Sequence, residues 1–136
     1  MQGIRIGQDI INRQLAEARR KPNEECCGLL AGCGNVITQV FPAENVASDP
    51  AKSYEIAPRQ IVQLLREFRE QGLDFLGIYH SHPKGDNVPS PRDIELAYYS
   101  EAAYFIVTPR PYADKPVRAF SIRNGRVTEL EIETIA

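Results

Sequence analysis

The chain contains two histidines, and both fall in one tripeptide, His80-Ser81-His82, directly after the apolar run Phe75 to Tyr79. That run reads as a buried strand, and residues i and i+2 of a strand point to the same side. The two imidazoles are therefore expected to aim at one point. Strand ends at a sheet edge are also where sites in α/β proteins tend to open. A polar loop, Lys84 to Pro89, follows and is stiffened by Pro83 and Pro89. Ser90-Pro91-Arg92-Asp93 then has the form of a helix start: a capping serine, a proline at the first position and an acidic first turn.

The remaining pattern interleaves strands and helices. Ile4 and Ile6 alternate with polar neighbours as a short first strand, and Ile10, Ile11, Leu15 and Ala18 recur at helical spacing until Lys21-Pro22-Asn23. Cys26 to Gly32 reads as a buried strand that turns at Gly34-Asn35 into Val36 to Phe41. Pro42 to Ser53 reads as a loop, and Tyr54 to Ile56 as a short strand. Pro58 opens a second helix, with Ile61, Leu64, Leu65 and Phe68 on one face, and Gly72 closes it. The helix starting at Ser90 is expected to run to Tyr99. Phe105 to Thr108 is a further buried strand, and Val117 to Arg123 pairs with Arg126 to Ile132 through the Asn124-Gly125 turn. This predicts an α/β fold, a mixed sheet flanked by helices, as a single domain over residues 1–136.

Composition narrows the function classes. A chain of 136 residues, 43% hydrophobic and 25% charged, can bury a core without disulfides. A net charge of -2 with no long run of one sign gives no footprint for nucleic acid or an acidic membrane. The Arg19-Arg20-Lys21 cluster is read as favourable charge at a helix C-terminus. No apolar run approaches the roughly 20 residues that span a bilayer. Gln8 and Asp9 interrupt any signal-peptide pattern, so a cytoplasmic protein is expected. Cys26, Cys27 and Cys33 are an odd set in one apolar segment and read as buried free thiols.

Two imidazoles on one side of a strand suit a metal. Zinc accepts neutral imidazole nitrogen and carboxylate oxygen, and a catalytic site takes three protein ligands and leaves one position open. Asp93, in the first turn after the stiff loop, fits as the third ligand. Water activation then needs a base, and the developing oxyanion a donor. Ser90 lies three residues before Asp93 and offers a hydroxyl. Glu25 opens an apolar strand, an awkward place for a carboxylate unless it faces a site. Whether that strand lies beside the histidine strand is left open by these patterns, and Glu24 is the alternative if the register is shifted by one.

Taken together, Glu25-x-Cys27-Gly28, then His80-x-His82, seven residues, Ser90, two residues and Asp93 resemble the signature of the JAMM, or MPN+, metallopeptidases. The resemblance covers nearly the whole chain and points to the small stand-alone prokaryotic members. It implies a cytidine-deaminase-like fold, with His80, His82 and Asp93 as Zn2+ ligands, Glu25 as the general base and Ser90 as the oxyanion donor. It further implies hydrolysis of the peptide or isopeptide bond after the Gly-Gly tail of a ubiquitin-like or sulfur-carrier protein. The stretch Phe41 to Tyr54 and the loop Lys84 to Pro89 are short beside the insertions that grip polyubiquitin in eukaryotic deubiquitinases.

Other readings fit less of the pattern. A non-catalytic MPN scaffold would typically lack the metal ligands that are complete here. His82-Pro83-x-Gly85 with Pro89-Ser90-x-x-Asp93 also resembles the RadC-type, DNA-repair-associated branch, but the Glu25-x-Cys27-Gly28 strand and the near-neutral charge argue against it. A zinc deaminase needs His-x-Glu and Pro-Cys-x-x-Cys, and neither is present. A cysteine peptidase built on Cys27 would need a histidine that the metal does not use. The donor set also suits iron. The six tyrosines are read first as core or rim, and second as the lining of a groove for an extended peptide.

Overall fold

Each strand between Cys27 and Val107 carries apolar residues on both of its faces, which forces cover on both sides of the sheet. The computed structural model describes residues 3–136. The elements run β1 (Gly3–Gly7), α1 (Gln8–Arg20), β2 (Cys27–Cys33), β3 (Val36–Ala43), α2 (Pro58–Gln71), β4 (Asp74–Ser81), α3 (Pro91–Glu95), β5 (Ala103–Val107), β6 (Val117–Arg123) and β7 (Arg126–Ile135). Neighbouring strands follow the order β1-β3-β2-β4-β5-β6-β7, and β1 pairs with both β3 and β7, so the sheet closes on itself. It is mixed: β4 and β5 are parallel, whereas β2 is antiparallel to both β3 and β4.

Alternation along the strands divides the core in two. Leu30, Tyr79, Phe105 and Val107 face α1, where Ile10, Ile11 and Ala18 meet them. Leu29, Ile78, Tyr104 and Ile106 face the opposite way, toward Leu64 and Phe68 of α2. His80 follows Tyr79 on β4 and so falls on the α2 side, while Tyr79 is buried against α1. There the Tyr79 hydroxyl donates to Glu17 Oε1 at 2.6 Å.

Two glycines are required by geometry. Gly28 pairs with Tyr79, and a Cβ on it would lie 2.5 Å from Tyr79 Cε1 and 2.5 Å from the Phe41 carbonyl oxygen. Only glycine leaves room for the tyrosine ring across the strand. Gly125, with φ 78° beside Asn124 at φ 52°, forms the tight left-handed turn between β6 and β7.

Three expectations change. Tyr54 to Ile56 is not a strand, because its backbone bonds within its own loop: the Val46 amide donates to the Glu55 carbonyl at 2.8 Å, and no strand among the described residues pairs with it. The helix after Ser90 stops at Glu95, well short of Tyr99, whose amide donates to the Tyr104 hydroxyl at 3.0 Å in place of a helical carbonyl. The histidine strand is not at a sheet edge. It lies between β2 and β5, and the site opens at its carboxyl end.

Candidate metal centre

His80 is the penultimate residue of β4, and the strand direction carries over to His82, whose amide donates to the Val107 carbonyl of β5 at 2.8 Å. The two imidazoles meet on one side, with Nε2 atoms 3.1 Å apart. Asp93 is delivered by α3. Its amide donates to Ser90 Oγ at 3.1 Å, and its Oδ2 accepts from the Ser90 amide at 2.9 Å, a reciprocal capping box. The cap holds the carboxylate toward the histidines: Oδ2 lies 3.0 Å from His82 Nε2 and Oδ1 3.3 Å from His80 Nε2.

The protonation pattern shows what this cluster lacks. His82 Nδ1 lies 2.7 Å from the Asp86 carbonyl, which can only accept, so Nδ1 carries the ring proton and Nε2 presents a lone pair. Burial pushes the His80 pKa down, which favours a neutral ring. For His82, burial works the same way but is outweighed by Asp93 and the Asp86 carbonyl, which raise its pKa. Burial also opposes ionisation of Asp93, yet the two imidazoles beside it outweigh burial and hold the carboxyl well below the usual carboxylate range. With both rings neutral, three lone-pair donors converge with a negative charge, an arrangement that calls for a cation. Bonds of about 2.0–2.1 Å in a tetrahedral zinc site put neighbouring donors about 3.3–3.4 Å apart. The Nε2 atoms lie 3.1 Å apart, and the nearer carboxylate oxygen of each ring, Oδ2 for His82 and Oδ1 for His80, lies 3.0 and 3.3 Å away, spacings close to those of a Zn2+ site.

Glu25 stands beside this cluster. Cys27 pairs with His80 in the antiparallel β2–β4 register, the Ser81 amide donates to the Cys26 carbonyl at 3.0 Å, and the same register continued one residue further ahead of β2 brings Glu25 opposite His82. Its side chain is buried, and Oε1 has no hydrogen-bond partner among the described residues. Burial is the main cause that pushes its pKa up to about 7; Asp93 adds to this, and His82 and Arg92 oppose it. Ser90 Oγ is an acceptor in the cap, which leaves its own hydrogen free to donate.

Three residues that shape the site carried no sequence signal beyond being aromatic or polar loop residues. Tyr54 stacks on His80, Asn45 ties the Tyr54 loop to Glu25, and Asn87 anchors the loop after His82 through the Ile106 and Lys115 carbonyls. A cleft of about 420 Å³ runs from Asp93 between α2 and the segment after α3. Tyr54, Tyr98, Tyr99 and Tyr104 line it; Tyr79 belongs to the α1 core and Tyr112 is exposed away from the cleft. Cys26, Cys27 and Cys33 are all free; the first two are buried, but Cys33, at the end of β2 beside the turn, is exposed, contrary to expectation. Burial pushes the Cys27 thiol up to about 12, which suits packing and not nucleophilic chemistry.

This fold and donor set define an MPN-type domain. Along 98% of this chain and 98% of the other, the backbone matches a JAB1/MPN domain protein from Archaeoglobus fulgidus with a TM-score of 0.66 at 19% identity. Protein DSY2949 from Desulfitobacterium hafniense matches with a TM-score of 0.85 at 29% identity, covering 97% and 92% of the two chains. Residues 7–123 match the model of the prokaryotic homologs of the JAB domain, and the chain belongs to that family. Among curated relatives, the desampylase of Haloferax volcanii is 37% identical over 102 residues, 74% of this chain and 73% of that protein. A probable TtuB-protein conjugate cleaving protease of Thermus thermophilus is 33% identical over 127 residues, 93% and 81% of the two chains.

Proposed function

We propose that this chain is a zinc-dependent peptidase, one catalytic domain over residues 1–136, that hydrolyses the bond after the Gly-Gly tail of a ubiquitin-like or sulfur-carrier protein. The observation that carries this reading is the buried Glu25 carboxylate opposite His82, beside three converging metal donors. His80, His82 and Asp93 would hold Zn2+, which when bound supplies positive charge to polarise the scissile carbonyl and acidify a water. Glu25 takes the proton of the attacking water as oxygen bonds to the carbonyl carbon. The Ser90 hydroxyl donates to the oxyanion that results. Glu25 then returns the proton to the amine nitrogen as the C–N bond breaks, so a free tail carboxylate and an amine leave. A pKa raised by burial suits a group that must both accept and release a proton near neutral pH.

The substrate class is supported by two features. One curated relative is named a desampylase, and the other is named for cleaving a protein conjugate. The tyrosine-lined cleft beside Asp93 has Val62 and Tyr98 exposed on its walls, a surface suited to a protein partner. A tail without side chains would be selected by the narrowness of such a site. No helix among the described residues is long and apolar enough to cross a membrane. Three unpaired thiols support the cytoplasm as the compartment.

The test is zinc content and turnover of the wild type beside Glu25→Gln, with a Gly-Gly-tailed carrier joined through its last carbonyl to a fluorescent lysine peptide. Glu25→Gln is expected to retain the zinc and to lose about 10²–10⁴-fold in turnover. Undiminished hydrolysis would remove Glu25 from the role of base.

A further inference from the structure

Asn45 makes four hydrogen bonds with one side chain. Its Nδ2 donates to the carbonyls of Glu25 at 2.9 Å and Ser53 at 3.0 Å. Its Oδ1 accepts from the amides of Ala47 at 3.0 Å and Glu55 at 3.1 Å. A primary amide offers two donor hydrogens and two acceptor lone pairs, so the group is saturated. Its partners lie on two pieces of chain: the residue ahead of β2 that carries the carboxylate, and the loop that carries Tyr54.

Glu25 depends on those contacts. Its Oε1 has no partner among the described residues, so no side-chain hydrogen bond there sets the direction of the carboxylate. That leaves the backbone: Cys26 is the last residue tied to β4, through Ser81, and Glu25 itself makes no bond to the sheet. The Glu25 amide donates to the Pro50 carbonyl at 2.8 Å, and its carbonyl accepts from Asn45. Both contacts come from the 45–55 loop and not from the sheet. The same loop lays Tyr54 on His80, with ring centroids 4.3 Å apart.

We propose that Asn45 is a positioning residue: it locks Glu25 and the Tyr54 loop into one unit and so sets where the base stands relative to the metal donors. This rests on the reading of Glu25 as the base. The four Asn45 side-chain bonds all go to backbone groups, and the candidate metal donors come from the end of β4, the residue after it and α3. Its loss is therefore expected to act on kcat and to leave zinc affinity in place.

The experiment is a double-mutant cycle of Asn45→Asp and Glu25→Gln, with the fluorescent Gly-Gly carrier conjugate as substrate and zinc affinity measured by chelator competition. Asn45→Asp keeps the acceptor half that holds Ala47 and Glu55, but loses the donor half and sets an acceptor against two carbonyls. The expected result is a kcat lower by about 10–100-fold, because small displacements of a reacting group cost that much. KM is expected to stay within about two-fold, as for an interaction made only in the transition state. Zinc affinity is expected to stay within about three-fold, since the groups that orient the ligands are untouched. In the Glu25→Gln background the Asn45→Asp change should cost nothing further, because both act through one group. An Asn45→Asp protein with wild-type kcat, or one that slows Glu25→Gln by its own full factor, overturns the proposal while the base assignment stands. Glu25→Gln with undiminished turnover overturns both. Should Asn45→Asp not fold, Asn45→Ser, whose hydroxyl both donates and accepts, takes its place in the same cycle.

Discussion

The ring of Tyr54 lies on the ring of His80, with centroids 4.3 Å apart and planes inclined by 20°. His80 is fully enclosed, and its Nδ1 has no hydrogen-bond partner among the described residues. A metal-ligating histidine is usually oriented by a hydrogen bond from its second nitrogen. Here packing against an aromatic face takes over that task. Tyr54→Phe should therefore behave as wild type, whereas Tyr54→Ala should weaken zinc binding by about ten-fold, the low end of what is lost when an orienting group is removed. Chelator competition on both variants checks this, and equal affinities would show that the stack orients nothing.

His82 is oriented by a different device. Asn87 is buried and donates to the carbonyls of Lys115 at 2.7 Å and Ile106 at 3.3 Å, which pins the loop whose Asp86 carbonyl takes the His82 Nδ1 proton. Asn87→Ala should lower zinc affinity by about 10–100-fold. Zinc titration of the folded variant tests it, and unchanged affinity would release the loop from this role.

Asp93 has two jobs that substitutions can separate. Asn at 93 keeps an oxygen to accept from the Ser90 amide, so the cap survives, but the negative charge is gone. Asp93→Asn should melt near the wild-type temperature in the absence of metal and fail to retain zinc at purification. Asp93→Ala should lose zinc as well, and about 1 kcal/mol of stability with the Ser90 amide bond to its carboxylate, while the backbone half of the cap remains. Metal analysis and melting curves of the two variants read these effects apart.

Glu17 predicts a pH dependence of stability. Burial raises its pKa; the Tyr79 hydroxyl, Lys21 and Arg20 oppose that rise without cancelling it. The folded state therefore holds this proton more tightly than the unfolded state. Its contribution to stability is fully present below the unfolded carboxylate pKa and is lost as pH rises through the folded value. Glu17→Gln keeps an acceptor for Tyr79 and does not titrate. The melting temperature of the variant minus that of wild type should become more positive between pH 4.5 and pH 8. A difference flat with pH would mean that Glu17 titrates alike in both states.

Local regularities made much of this molecule readable from its residues. The helices α1 and α2 follow from apolar spacing, and the last hairpin from Asn124-Gly125, because 3.6-residue and two-residue periods and left-handed turns are properties of short segments. His80 and His82 share a face by strand geometry alone, and Ser90 and Asp93 form their capping box within four residues. The Tyr54 to Ile56 segment misled because its composition suits a strand, and only the absence of a neighbouring strand excludes one. The residues by themselves determined the fold class and pointed to the candidate metal donors and the candidate base. What tertiary structure decided is how these pieces meet: the β2–β4 register that sets Glu25 opposite His82, the Tyr79 ring that requires Gly28, the Tyr54 stack, and the Asn45 and Asn87 anchors. Asn45 and Glu25 lie 20 residues apart and Asn87 and Lys115 28 apart, and no periodicity reaches that far. Such contacts exist only once the sheet has closed, because it is the sheet that brings the loops together.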